Sequence, residues 1–148
     1  MVDVQRTFSV RRPPEEVLAY LADFSHAEEW DPGTVSCTPE GEGPVRVGST
    51  WHNVSKLLGK ETELTYELQE WTDRRVLLVG KNKTATSNDD ITVEPDGEGS
   101  QITYSSHIEF HGVAKVADPF MGHTFEKLGD ETVEGLTKAL DGESAAQG

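Results

Sequence analysis

The strongest constraint on the fold is a lone long helix at the end of a strand-rich chain. Phe125, Leu128, Leu136 and Leu140 form a broken apolar stripe over residues 120–140, with Met121 and Val133 at its edges. The stretch is long enough for about six helical turns. Asp118-Pro119 supplies an N-cap and a first-turn proline, and Asp141-Gly142 marks the expected stop. An apolar stripe has to be buried against another layer, and the upstream strands are the only partner large enough. The chain is therefore expected to fold as an α+β domain in which a sheet holds one helix.

The strands are read from alternation. Val2, Val4, Phe8 and Val10 occupy alternate positions, as a half-buried strand requires. Pro13-Pro14 stops that strand and opens a helix. Glu15 and Glu16 lie at its positive end, and Val17, Leu21 and Phe24 repeat at helical spacing. Ser25 to Glu28 reads as a capping box that starts a second short helix ending near Trp30, before the turn Asp31-Pro32-Gly33. Strand-like segments follow at 34–39, 48–58, 60–71, 76–81, 84–94 and 101–110, separated by short turn-forming segments. With the first segment that makes about seven strands, joined in order by short connections, so an antiparallel sheet is expected.

A chain of 148 residues fits one domain, here 1–141, followed by a small and polar segment, 142–148, expected to be a flexible tail. The 27 acidic and 13 basic residues leave a formal charge of −14, spread along the chain. Such a surface repels phosphate backbones and anionic lipid heads, so nucleic acid and membrane insertion are not expected. The single cysteine, Cys37, excludes an intramolecular disulfide. There is no basic-then-apolar leader and no apolar run near the about 18 residues that span a bilayer. A cytoplasmic protein, monomeric or weakly homodimeric, is the expectation.

Five segments carry a resemblance: P-P-E-E-V-L-A-Y-L-A-D at 13–23, E-W-D-P at 29–32, V-G-S-T-W at 47–51, L-L-G-K-E-T-E-L-T-Y-E-L at 57–68 and G-S-Q-I-T-Y at 99–104. In this order, from Val2 to about Leu140, the chain resembles the START-like (SRPBCC, Bet v 1-like) superfamily, whose bacterial members are often of polyketide cyclase/dehydrase or lipid-transport type. The resemblance implies a helix-grip fold: a curved antiparallel sheet of about seven strands around the C-terminal helix, with two short helices after the first strand. It also implies an elongated cavity between sheet and helix. Members of the superfamily include carriers, aromatase/cyclases and co-chaperone domains, so the architecture does not select an activity.

Register arithmetic identifies side chains that meet such a cavity. A turn at 96–99 sets Val93 opposite Ile102, Ile91 opposite Tyr104, Asp89 opposite Ser106, Ser87 opposite Ile108 and Ala85 opposite Phe110, all on one apolar face. Asp89 is the sharpest polar candidate, because a buried carboxylate must be hydrogen-bonded, paired or functional; a bulge over 87–90 would instead turn it outward. Continuing the pairing puts Val76 and Leu78 inward, and alternation does the same for Leu64, Tyr66 and Leu68. One strand earlier, either Trp51 and Asn53 or His52 and Val54 face inside; burial of the larger ring favours Trp51. Trp30 falls at the lip of the implied cavity or packs against the long helix, and Met121 and Phe125 would line the helix side. Gly122, Gly129 and Gly135 either leave room for a ligand or for close contact with the sheet, or mark a loosely optimised helix.

Little else points to chemistry. His107 and His111 share the face opposite Tyr104 and Ile108, and His26 and His123 sit in helices beside acidic residues. No H-E-x-x-H, no Cys/His cluster, no P-loop and no Gly-x-Ser-x-Gly occurs, so no metal and no cofactor are expected. Three readings follow. The first is binding of a small hydrophobic ligand (lipid, isoprenoid or polyketide-like) in the cavity. The second is an enzyme of cyclase, aromatase or dehydratase type, with Asp89, Tyr66, Tyr104 and His52 as candidates for proton transfer. The third is a protein-interaction module of co-chaperone type, with a filled core.

Overall fold

A computed structural model describes residues 2–57, 59–111 and 121–147. Strand β1 (Val2–Val10) leads to helix α1 (Pro14–Ala22), a 3-10 turn (Phe24–His26) and the single-turn helix α2 (Ala27–Trp30). Six strands follow: β2 (Thr34–Pro39), β3 (Thr50–Leu57), β4 (Lys60–Trp71), β5 (Arg75–Lys81), β6 (Ala85–Asp96) and β7 (Gly99–Phe110). Helix α3 (Met121–Gln147) closes the chain. The strands form one seven-stranded antiparallel sheet in the order β1-β7-β6-β5-β4-β3-β2. Among the described strands, only the step from β1 to β2 joins strands that are not neighbours. It runs from one edge of the curved sheet to the other, carrying α1 and α2 over part of the concave face.

The expected register of the last hairpin is the observed one, from Val93 opposite Ile102 to Ala85 opposite Phe110. No bulge intervenes, and Asp89 is buried. On the ambiguous strand Trp51 and Asn53 face inward, whereas His52 pairs with Glu63 at 2.9 Å with much of its side chain exposed. Trp51 packs edge-on against Phe24.

Three local expectations change. Ser25 to Glu28 forms no capping box: the Asp23 carboxylate accepts from the Ser25 N–H and hydroxyl, and Glu28 instead accepts from the Cys37 N–H on β2 at 2.7 Å. Aspartate two residues earlier caps the 3-10 turn through the Ser25 N–H, and the turn starts at Phe24 rather than after Ser25. Asp23→Ala is accordingly expected to lower stability by about 1 kcal/mol in urea unfolding, against almost nothing for Ser25→Ala. Strand β3 begins at Thr50, because Gly48 has a positive φ of 98° and belongs to the preceding turn. Helix α3 runs past Asp141-Gly142, since Glu143, Ala145, Ala146 and Gln147 are good helix formers. The N-cap expected at Asp118 lies outside the described residues.

The core fills one half of the grip. Val17, Leu21 and Phe24 descend onto Leu68, Val76, Leu78 and Ile91, with Leu136 and Leu140 closing from α3. Helix α3 packs mainly on β1 and α2. Both contacts need missing side chains: a Cβ on Gly129 would lie 2.5 Å from Val4 Cγ1, and one on Gly135 would lie 2.3 Å from the Trp30 carbonyl oxygen. Arg6 ties the same helix to β1 through Glu126 (2.7 Å) and Asp130 (3.0 Å). No helix among the described residues is long and apolar enough to cross a membrane.

Candidate functional site

Where α1 and α2 leave the concave face uncovered, a cavity of about 450 Å³ remains between sheet and α3. Leu64, Ala85, Ile108 and Phe110 supply apolar wall from the strands, and Phe125, Leu128 and Gly129 supply it from the helix. The rim includes Lys56, Lys60, Thr62, Asn82 and Thr84, from the ends of the β3–β4 and β5–β6 hairpins. Four polar groups converge deeper: Asp31, Tyr66, Asp89 and Tyr104, with Ser87 and Ser106 beside them.

Each is positioned by local structure. Asp89 and Tyr104 lie on β6 and β7 two register positions apart, and the Tyr104 hydroxyl donates to Asp89 Oδ1 at 3.2 Å. Tyr66 is paired with Gly80 across β4 and β5, and its ring lies over the bare backbone where a Cβ would come within 2.5 Å. Asp31 ends α2. Its carboxylate accepts from the Gly33 N–H at 3.2 Å and from the Thr34 hydroxyl at 2.8 Å, and Thr34 in turn accepts from the buried Asn53 amide at 3.2 Å.

Burial governs the protonation of these groups. Loss of solvent, and then the nearby charge of Asp31, push the Asp89 carboxyl up to about 7, against partial relief from the Tyr104 and Ser106 hydroxyls. Burial also raises Asp31, with relief from Thr34 and Gly33. Both tyrosines are held well above their ordinary value by burial and then by the charge of Asp89, so their hydroxyls stay protonated. A carboxyl that titrates near neutrality beside two phenol donors can accept or release a proton without a metal ion.

Of the residues expected to meet a ligand, the cavity wall brings together Leu64, Tyr66, Asp89, Tyr104, Ser106, Ile108 and Phe125. Trp51, Leu68, Leu78 and Ile91 face the same side of the sheet but sit in the core beneath α1 and α2, and Trp30 enters that core from α2 itself; all five are off the wall. Trp30 is no lip: it is buried, and its ring stands edge-on behind Tyr104 at 6.1 Å between centroids. The Met121 side chain lies outside the described residues. Asp31 went unnoticed in the sequence because Asp-Pro-Gly reads as a turn; its position directly after a large apolar ring was the available signal. None of the described histidines lines the cavity. Cys37 is buried, which pushes its thiol up to about 11, away from nucleophilic use.

Comparison with known proteins agrees with this geometry. The family model described as polyketide cyclase / dehydrase and lipid transport matches residues 1–141. Among solved structures, a START superfamily protein from Mycobacterium smegmatis is 17% identical with a TM-score of 0.72, the match covering 99% of each chain. The Zhui aromatase/cyclase from a Streptomyces species is 16% identical with a TM-score of 0.72, covering 97% of this chain and 93% of that one. A STAR-related lipid transfer protein from Xanthomonas axonopodis is 13% identical with a TM-score of 0.72, covering 93% and 85%. No curated protein matches the sequence. At these identities the structures establish a shared fold, the helix-grip architecture. The family match spans the whole sheet and most of α3, and the chain belongs to the polyketide cyclase / dehydrase and lipid transport family.

Proposed function

We propose that the protein binds a small hydrophobic molecule of lipid, isoprenoid or polyketide-like class in the cavity between sheet and α3. The observation that carries this reading is the cavity itself: about 450 Å³, mostly apolar, with a few convergent polar groups at depth. That is the usual composition and size of a ligand site. An interaction module with a filled core has no need of such a space, and the cavity weighs against that alternative.

The test is an NMR titration with a panel of hydrophobic molecules, following amide shifts along β4, β6, β7 and α3. Ala85→Phe puts a ring into the cavity wall and is expected to weaken binding by about tenfold or more, because the ligand must then displace it. Thr92→Phe, on the solvent face of β6, is expected to leave affinity unchanged. Equal affinities in wild type and Ala85→Phe would remove the cavity as the binding site.

A second reading, catalysis on a bound carbonyl compound, is favoured by the Asp89 carboxyl at about 7 in hydrogen-bond contact with Tyr104. It predicts that Asp89→Asn and Tyr104→Phe each abolish turnover of a ligand identified by the titration while leaving its binding intact. Unchanged turnover in both variants counts against it.

A further inference from the structure

Two carboxyls share the cavity wall, Asp89 buried and Asp31 half-buried, and among the described residues the only bases on that wall are Lys56 and Lys60 at its rim. The bases with ion pairs are engaged elsewhere: Arg6 with Glu126 and Asp130, Arg12 with Glu16, Arg74 with Glu94, Arg75 with Glu70 and Asp90. His52 and His107 pair with Glu63 and Asp3. Lys56 and Lys60 belong to the exposed rim, and no cation is among the groups that shift Asp31 or Asp89. A carboxylate buried without a counter-ion is costly to keep unless something neutralises it.

The hydrogen-bond census points the same way. The Tyr104 O–H is donated to Asp89, and the Thr34 O–H and Gly33 N–H are donated to Asp31. The Tyr66 hydroxyl is turned toward Ser87. Donors in the deep part of the cavity are thus engaged, and what remains open is carboxylate lone pairs. Once Asp89 has lost its proton, above about pH 7, a ketone or carboxylate would bring acceptors to acceptors. An alcohol brings one donor and no charge, whereas an ammonium brings three donors and a positive charge. Tyr104 and Phe125 in the same wall are aromatic, and an aromatic face favours a cation over a neutral group.

We propose that the cavity's ligand is a hydrophobic amine, its ammonium seated against Asp31 and Asp89 and its apolar body along Leu64, Ile108 and Phe125. This deepens the ligand-binding reading and rests on it. Lipid carriers that take neutral or anionic chains would instead present donors or a buried base to the head group.

The experiment compares three probes of equal chain length, decylamine, decanol and decanoate, by calorimetric and NMR titration of the full chain at about pH 6 and about pH 8. Decylamine is expected to bind at least about tenfold more tightly than decanol at the higher pH. Its affinity is expected to rise by roughly tenfold from the lower to the higher pH as Asp89 loses its proton, while that of decanol stays level. Among the described residues the other titratable groups on the wall around Asp89 are Asp31, Tyr66 and Tyr104, with Lys56 and Lys60 at the rim; the wall contributed by described α3 residues carries no charge. Asp89→Asn and Asp31→Asn should each narrow the amine preference while decanol still binds, which keeps a folding defect distinguishable from a lost ion pair. Decanol or decanoate binding as tightly as decylamine overturns the amine assignment and leaves the cavity reading standing. Failure of all three probes to bind overturns both.

Discussion

Asp89→Asn is expected to make the protein more stable above about pH 7, by roughly 2–4 kcal/mol, and to give little or no gain below about pH 4. The ordinary value of the carboxyl is 3.8 and the folded protein holds it at about 7, because burial and the charge of Asp31 disfavour ionisation. Between these two values the folded state binds a proton that the unfolded chain has released. Stability from this group is therefore complete below about 3.8 and is lost as pH rises through about 7. Above that range the wild type keeps a buried charge, which asparagine avoids while its side-chain oxygen still accepts from the Tyr104 hydroxyl. Urea unfolding of both proteins across this range isolates the effect, because most other titrating groups cancel in the difference. A stability gap that is flat with pH would mean that Asp89 does not titrate there. Asp31→Asn should draw the Asp89 value down, since it removes the nearest like charge.

The second large effect is a loss. Gly135→Ala places a methyl group 2.3 Å from the Trp30 carbonyl oxygen and 3.0 Å from its Cα, both backbone atoms at the end of α2. Alanine favours the helix by about 1 kcal/mol, but overpacking against atoms that cannot rotate away costs about 1–3 kcal/mol or more. The expected net change is a loss of about 2 kcal/mol in urea unfolding, as α3 is pushed off α2. Gly129→Ala is the control. Its nearest obstacle is a γ-methyl of the buried Val4, which must give way but is not backbone, so a smaller loss is expected. Equal losses at the two glycines would show that the backbone obstacle at Gly135 costs no more than the side-chain obstacle at Gly129, and would overturn the argument from backbone approach.

The last hairpin was legible because a tight turn sets register and side chains alternate with a period of two; Pro95 to Gly99 therefore predicted every pair from Val93–Ile102 to Ala85–Phe110. The same logic gave Asp89 and Tyr104 their face. It could not tell which part of that face stays open. Leu68, Leu78 and Ile91 point inward like Leu64 and Ile108, yet the first three lie beneath α1 and α2 and the others at the cavity. That division depends on where the β1–β2 crossing lays its helices, a long-range outcome with no local code. Asp31 was missed for a related reason. Its side-chain direction is settled where α2 meets β2, through Thr34 and Asn53, and Asn53 lies 22 residues further along the chain.

The edge strand β2 has a consequence for the behaviour of many copies in a crowded solution. Its ladder is interrupted by a register shift between Thr34 and Ser36, it ends at Pro39, and the Cys37 N–H is already bonded to Glu28. A strand arriving from a neighbouring molecule would find a kinked edge, a residue with no N–H to donate and a donor already engaged. These are features that block sheet-to-sheet growth. The exposed Val35 on this strand is thus carried where it cannot seed a fibre, and a net charge of −14 keeps the edges of separate molecules apart.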